Sequence, residues 1–208
     1  EVRHNGRHEN NMKCREAMGH TEHKPLAGGV REHVNIAPMT SLGVGGEARY
    51  FVDVSDEAHL EQVLSWAEAG KRTVVVLGGG TNVVVSDAGF DGLVVRYRSA
   101  SCERAWGDNG GVLWKVGAGF GWDDLVADTV QERHAGIECL SGIPGWCGGA
   151  PIQNIGAYGQ EFSDVLATLR AYDRSEARWC HFDANNCDFA YRNSIFRQRG
   201  MGRFVISS

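Results

Sequence analysis

Apolar and polar positions change period several times along this chain, and each change marks an element. Ala48-Arg-Tyr-Phe-Val-Asp-Val54 alternates and is rich in aromatic and β-branched residues, which predicts a half-buried strand. Behind it, Leu60, Val63, Leu64 and Ala67 fall on one face at helical spacing. Ser55 is the expected N-cap of that helix, Asp56 and Glu57 suit its positive end, and Gly70 supplies the stop. Residues 73–77 are a short apolar run, read as a buried strand that ends in Gly78-Gly-Gly-Thr-Asn82. Residues 83–85 and 93–95 read as strands flanking a turn at 87–92.

A second set of elements follows the same logic. Residues 111–116 predict a strand, and the helix after them turns Trp122, Leu125, Val126, Thr129 and Val130 inward. Residues 165–172 and 177–182 predict paired strands across the polar turn 173–176, and 203–207 a last strand. Before Val34 the chain is polar and aperiodic, so residues 1–33 read as a disordered extension. One lobe is then expected over 34–100 and a second over 101–208, an α+β arrangement without internal repeats.

Composition narrows the chemistry. Glycine is abundant, 28 of 208 residues, and clustered in a few loops, which argues for specific turns rather than low complexity. A net charge of −5 gives no support for a nucleic-acid partner. No apolar run approaches the ~20 residues of a membrane span, and no signal-peptide core opens the chain, so a cytoplasmic location is the expectation. The six cysteines show neither C-x-x-C pairs nor zinc-like spacing and read as reduced thiols. Five of the eight histidines lie in the first 33 residues, so no metal site is expected.

Three glycine loops carry the candidate chemistry. Gly78–Asn82 follows a strand, so its N–H groups suit a pyrophosphate, although a plain tight turn has the same look; no Lys-Ser/Thr follows to make it a Walker loop. Gly117-Ala-Gly-Phe-Gly121 has the wrong spacing for a dinucleotide fingerprint and reads as a packing turn. The stretch 140–159 packs six glycines and two prolines into twenty residues together with Gln153 and Asn154. It is neither a helix nor a linker, but a fixed loop whose bare backbone approaches a ligand closely.

Four motifs in order carry a resemblance: Thr40-Ser-Leu-Gly-Val-Gly-Gly-Glu-Ala-Arg-Tyr50, Leu77-Gly-Gly-Gly-Thr-Asn82, Ser141-Gly-Ile-Pro-Gly145 with Gly148-Gly-Ala-Pro-Ile-Gln-Asn-Ile-Gly-Ala-Tyr-Gly-Gln-Glu161, and Phe189-Ala-Tyr-Arg-Asn-Ser-Ile-Phe196. From about Val34 onward the chain resembles the UDP-N-acetylenolpyruvoylglucosamine reductases, flavoenzymes of peptidoglycan synthesis. That resemblance implies the two-lobed FAD-binding fold shared with vanillyl-alcohol oxidase and p-cresol methylhydroxylase. It implies FAD as cofactor, NADPH as hydride donor and a UDP-sugar enolpyruvyl ether as substrate. Carried over by motif, Gly78, Gly79, Gly80, Thr81 and Asn82 line the pyrophosphate. Ile143, Pro144, Gly145, Gly148 and Gly149 meet the flavin side, and Gln153 and Asn154 lie near flavin and substrate. Tyr158 and Tyr191 face the substrate, and Arg192 binds its carboxylate as the catalytic residue. Arg192 alone would read as a surface ion pair, and Ser194 as a structural hydroxyl.

Departures from the family pattern matter as much. The family's protonating serine, in an Asn-x-Gly-Ser-x-Phe-Lys-Asn-Pro segment, and a late glutamate have no counterpart here. The expectation is a chain ending before the C-terminal substrate domain, with enolpyruvyl reduction incomplete. The alternative is a non-catalytic flavin- or nucleotide-binding module of the same descent. Trp146 and Cys147 replace small residues, putting an indole beside the flavin loop, where it either stacks or crowds.

Overall fold

The computed structural model describes residues 27–107, 110–198 and 202–208. Strand β1 (Arg31–Asn35) pairs antiparallel with β2 (Glu47–Val54), and helix α1 (Glu57–Ala69) leads to β3 (Val74–Val76) and then β4 (Phe90–Tyr97). Strand β4 lies between β2 and β3 and is parallel to both, giving the order β1-β2-β4-β3. A parallel strand held between neighbours is covered on both faces, and Leu93, Val94 and Val95 are accordingly all buried. Val94 packs with Ile36, Ala48, Phe51 and Leu77 on one face. On the other, Val95 meets the apolar stripe of α1, the expected Leu60, Val63, Leu64 and Ala67.

An antiparallel hairpin, β5 (Cys102–Trp106) with β6 (Val112–Val116), precedes helix α2 (Trp122–Gln131). The 140–159 stretch follows as turns, then the short pair β7 (Gly156–Ala157) and β8 (Gln160–Glu161). Strand β9 (Leu169–Asp173) is the centre of an antiparallel sheet, flanked by β10 (Arg178–Phe182) and β11 (Phe204–Ile206), with one short helix, α3 (Ile195–Gln198), before β11.

Several expectations change. The extension expected over 1–33 runs too far, because Arg31–Asn35 is a strand; residues 1–26 lie outside the described residues. The cap of α1 is Asp56, whose carboxylate accepts from His59 N at 2.8 Å, rather than Ser55. Strand β3 is buried at Val74 only, since it is the sheet edge and Val75 and Val76 are exposed. Residues 83–85 form no strand, and Val84 is 79% exposed because the crossover from β3 to β4 passes over the sheet end there. Val130 is likewise exposed, one position past the inner face of α2. Strand β9 begins at Leu169 because a turn capped by Glu161 and Asp164 occupies the residues before it. Strand β5 has no signal in the apolar pattern.

The packing also departs from a division at residue 100. Leu169, Ala171, Tyr172, Val205 and Ile206 belong to the same cluster as α1 and β4. Arg170 ties the two parts with a bidentate ion pair to Glu57, 2.7 and 2.8 Å, which holds that carboxyl below its ordinary range. A separate cluster forms around Trp122, Leu125, Val126, Leu140 and Ile155. No helix among the described residues is long and apolar enough to cross a membrane.

Candidate functional site

Ligands of parallel sheets gather beyond the carboxyl ends of the strands, and the loop Gly78–Asn82 leaves β3 at that end. Ser41 N donates to Gly80 O at 3.0 Å, and Gly80, at φ 70°, leaves no room for a side chain against the Met39 carbonyl. The Thr40–Tyr50 motif thus braces the glycine loop from below. The main-chain N–H groups of Gly78, Gly79, Gly80, Thr81 and Asn82 have no acceptor among the described residues. A side chain on Gly78 would meet nothing within 4 Å, so the space over this backbone is open.

The facing wall is held by the first turn of α2. Trp122 N donates to Gly145 O at 2.9 Å and its indole N–H to Leu140 O at 3.1 Å. Asp123 accepts from Gly142 N at 2.6 Å and from the Ser141 hydroxyl at 3.2 Å. The two walls meet at the rim, where Thr81 Oγ1 donates to Pro144 O at 3.4 Å and Asn82 Nδ2 to Gln153 Oε1 at 2.9 Å. Between them lies a cleft of about 180 Å³, room for part of a dinucleotide, since whole-ligand pockets run to roughly 300–1,000 Å³.

Gly78, Gly79, Gly80, Thr81, Asn82, Ile143, Pro144, Gly145, Gly149 and Gln153 all line this cleft. Gly148 and Asn154 are not in its lining. Gly148 packs against Ala118, where an added Cβ would come within 2.6 Å, and its N–H is bonded to Ala118 O at 2.9 Å. Asn154 is buried and its amide is fully engaged: Oδ1 accepts from Ser163 N at 3.0 Å, while Nδ2 donates to Glu161 Oε2 at 2.7 Å and Ala190 O at 3.4 Å. The Gly117–Gly121 loop is a packing turn, with Gly117 and Gly119 N–H bonded to Ser101 O and Ser99 O.

Tyr158, Tyr191 and Arg192 stand outside the cleft. Tyr158 is 92% and Tyr191 83% exposed. Arg192 Nη2 donates to Gly156 O at 2.9 Å, which joins it to the hairpin carrying Tyr158, and its guanidinium lies 6.0 Å from the Tyr191 ring. The 189–196 motif is strapped to the 140–159 loop by this bond, by Asn154 to Ala190, and by the Ser194 hydroxyl to Ile152 O at 2.7 Å. Ser194 is buried and structural, and among the described residues no base bonds its hydroxyl.

Two cleft features lie outside the motifs. Trp122 and Trp146 both line the cleft. The Arg96 guanidinium lies over the Trp146 ring at 4.8 Å and that of Arg98 at 5.8 Å. Burial pulls Arg96 below its ordinary value, against the pull of Asp53. Cys147 faces away into the α2 cluster, and burial pushes its thiol up to about 12, so it is no ready thiolate.

A family model described as an FAD binding domain matches residues 48–181. The chain belongs to the FAD-binding domain family. Among curated relatives it is 42% identical to the UDP-N-acetylenolpyruvoylglucosamine reductase of Cutibacterium acnes, over 83% of this chain and 45% of that one. It is 41% identical to that of Thermobifida fusca, over 84% and 48%. The chain therefore spans about half the length of the curated relatives it matches. The reductase structure from Thermus caldophilus superposes with a TM-score of 0.69 at 27% identity, covering 86% of this chain and 60% of that one. A vanillyl-alcohol-oxidase-type flavoprotein from Myceliophthora thermophila matches in fold, at a TM-score of 0.56, 16% identity, and 76% and 30% coverage. The resemblance read from the four motifs is borne out, and so is the flavoprotein fold it implied. The residues of this FAD-binding domain fit a dinucleotide: the N–H groups of the open glycine cradle, without acceptors among the described residues, lie opposite a wall of Ile143, Pro144 and Trp146.

Proposed function

We propose that this chain is the FAD-binding part of a reductase that converts UDP-N-acetylglucosamine enolpyruvate to UDP-N-acetylmuramate, with NADPH as hydride donor, in the cytoplasm. The observation that carries the reading is the run of five N–H groups at Gly78–Asn82 without acceptors among the described residues. Successive main-chain donors bind phosphate without needing a cationic side chain.

Bound FAD would supply the hydride chemistry, and the protein's work is to bind, orient and shield. Gly78–Asn82 would hold the pyrophosphate through their main-chain N–H groups, and the second N–H of the Asn82 amide would add a side-chain donor at the rim. Ile143 and Pro144 present an apolar wall that excludes water. Arg192 spends one N–H on Gly156 O, and the rest of its guanidinium fork has no acceptor among the described residues. A planar fork can clamp the substrate carboxylate bidentately and stabilise negative charge arising beside it. Tyr158 and Tyr191 flank this position as aromatic surfaces for the sugar nucleotide.

The test is to purify the chain, record flavin absorbance with and without added FAD, and assay both half-reactions anaerobically. The expected result is flavin binding and reduction by NADPH, with little turnover of the UDP-sugar. A colourless protein that takes up no FAD would refute the assignment. Robust turnover by this chain alone would refute the need for the family's protonating serine. Binding of FAD without reduction by NADPH would favour the non-catalytic module.

A further inference from the structure

Trp146 departs from the small residue that the motif resemblance implies at this position, and the structure shows how it is held. Its indole lines the cleft beside the glycine loop, with ring carbon Cδ1 3.4 Å from where a Cβ on Gly79 would sit. Arg96 and Arg98 approach the ring from the β4 side at 4.8 and 5.8 Å. Arg96 is the next-to-last residue of β4, and Arg98 follows directly after the strand end. Asp53, opposite Arg96 in the parallel register, does not neutralise them. Its Oδ1 is 4.0 Å from both Arg96 Nε and Arg98 Nη1, while Oδ2 pairs with Arg31 at 3.3 Å. Three guanidinium groups thus share one carboxylate. Arg96 Nε and Asp53 Oδ1 are both buried without a hydrogen-bond partner among the described residues. Arg96 is therefore oriented by the ring as much as by the carboxylate.

We infer that Trp146, pinned from behind by Arg96, is a stacking platform in the cofactor cleft that packs against a planar heterocycle of the bound dinucleotide. The inference rests on the flavin reading and adds to it a recognition element that lies outside the four motifs. Three observations converge on it. The ring is in the cleft lining rather than in the core. Guanidinium contacts fix its plane, so little freedom is lost when a second ring packs on it. The surplus positive charge of Arg31, Arg96 and Arg98 over Asp53 lies behind a site built for a pyrophosphate, matching the ligand's charge.

The test compares the wild-type chain with Trp146→Phe, Trp146→Leu, Arg96→Lys and Arg96→Gln. Each is checked for folding by circular dichroism and thermal melting. Readouts are FAD affinity and the emission of bound flavin, with riboflavin and ADP titrated separately to show which heterocycle is stacked. Stacking of a base on an aromatic side chain is typically worth about 1–3 kcal/mol, so Trp146→Leu should weaken FAD binding about 5- to 160-fold and raise bound-flavin emission. Trp146→Phe should retain most of both properties. Arg96→Gln should move part-way towards the leucine variant, with rescue by Arg96→Lys, which keeps the cation over the ring. If wild type binds riboflavin but not ADP in a Trp146-dependent way, the partner is the isoalloxazine; the reverse pattern assigns the adenine.

If wild type itself binds no FAD, the flavin reading fails. If wild type binds FAD while Trp146→Leu, still folded, matches it in affinity and emission, the stacking inference alone is overturned. Tighter binding by Trp146→Leu would overturn it too, since the indole would then be crowding the cleft.

Discussion

Replacing Asn154 by Leu separates two readings of the 140–159 loop. As a cofactor contact, Asn154 would matter for affinity and little for folding. The structure makes it a pin, with three hydrogen bonds that join the loop to Glu161, Ser163 and Ala190. Losing them costs about 1 kcal/mol each, and more where the Ser163 N–H is stranded. Asn154 also sits at φ 45°, left-handed backbone in which a branched apolar residue costs roughly a further 1–2 kcal/mol. The total is about 4 kcal/mol, a large share of the roughly 5–15 kcal/mol typical of a domain. With a urea slope of about 2 kcal/mol per molar, the unfolding midpoint should fall by about 2 M. Gln153→Ala is the control, because its side chain makes a rim contact with Asn82 at the cleft mouth. It should shift the midpoint by less than about 0.3 M and change FAD affinity instead. An Asn154→Leu protein with the wild-type midpoint and weakened FAD binding would refute the reasoning.

Other substitutions probe the same picture. Gly78→Ala places a methyl group in open space and Gly148→Ala drives one into Ala118; the first should leave the melting temperature unchanged and weaken FAD binding, the second should lower the melting temperature. Phe51→Ala empties a fully buried site between β1, β2 and the sheet end and should cost about 3–5 kcal/mol in denaturant titration. Asp173 is held well below the usual carboxylate range, chiefly by the Arg203 guanidinium at 2.5 Å and also by Ser175. Its stabilising effect is therefore complete above the unfolded-state value of about 3.9 and is lost as pH falls further towards the depressed folded value. Asp173→Asn should be less stable than wild type at pH 7 and flatter between pH 4 and 2 in pH-dependent melting. A parallel pair of curves would contradict that assignment.

The fold was legible wherever an element buries one face against the rest. The stripe Leu60, Val63, Leu64, Ala67 specified α1, and the alternation through Val52 and Val54 specified β2, because exposing either set would forfeit several kcal/mol of burial. The failures share a cause in the chain's neighbours. Residues 75–76 and 83–85 are as apolar as residues 93–95, yet only the last are central in the sheet. Position in a sheet is decided by which strand comes to lie alongside, and that is a property of the pairing, not of the run. Strand β5 escaped notice because its partner β6 and the edge it shares with solvent leave its residues largely exposed, so no apolar period marks it.

The site shows the same division at finer grain. Motif order identified which loops meet, and ten of the twelve cofactor positions carried over by resemblance do line the cleft. Within a motif, however, residues that touch a ligand and residues that hold the loop together look alike, since both are intolerant of change. Gly148 and Asn154 belong to the second kind: the hydrogen bonds of one run to Ala118 and of the other to Ser163, Glu161 and Ala190. Arg192 fixes the hairpin with one N–H, and among the described residues the remaining fork has no acceptor, which is what the proposed carboxylate clamp needs. The reverse error also occurs. Trp146 breaks the motif pattern and would be discounted on that ground, yet it is a cleft residue held over a cation from β4. Arg96 lies fifty positions away and carries no motif, so only the folded sheet could bring the two together. Motifs therefore locate this cleft, while part of its lining comes from a residue at which the chain leaves the pattern.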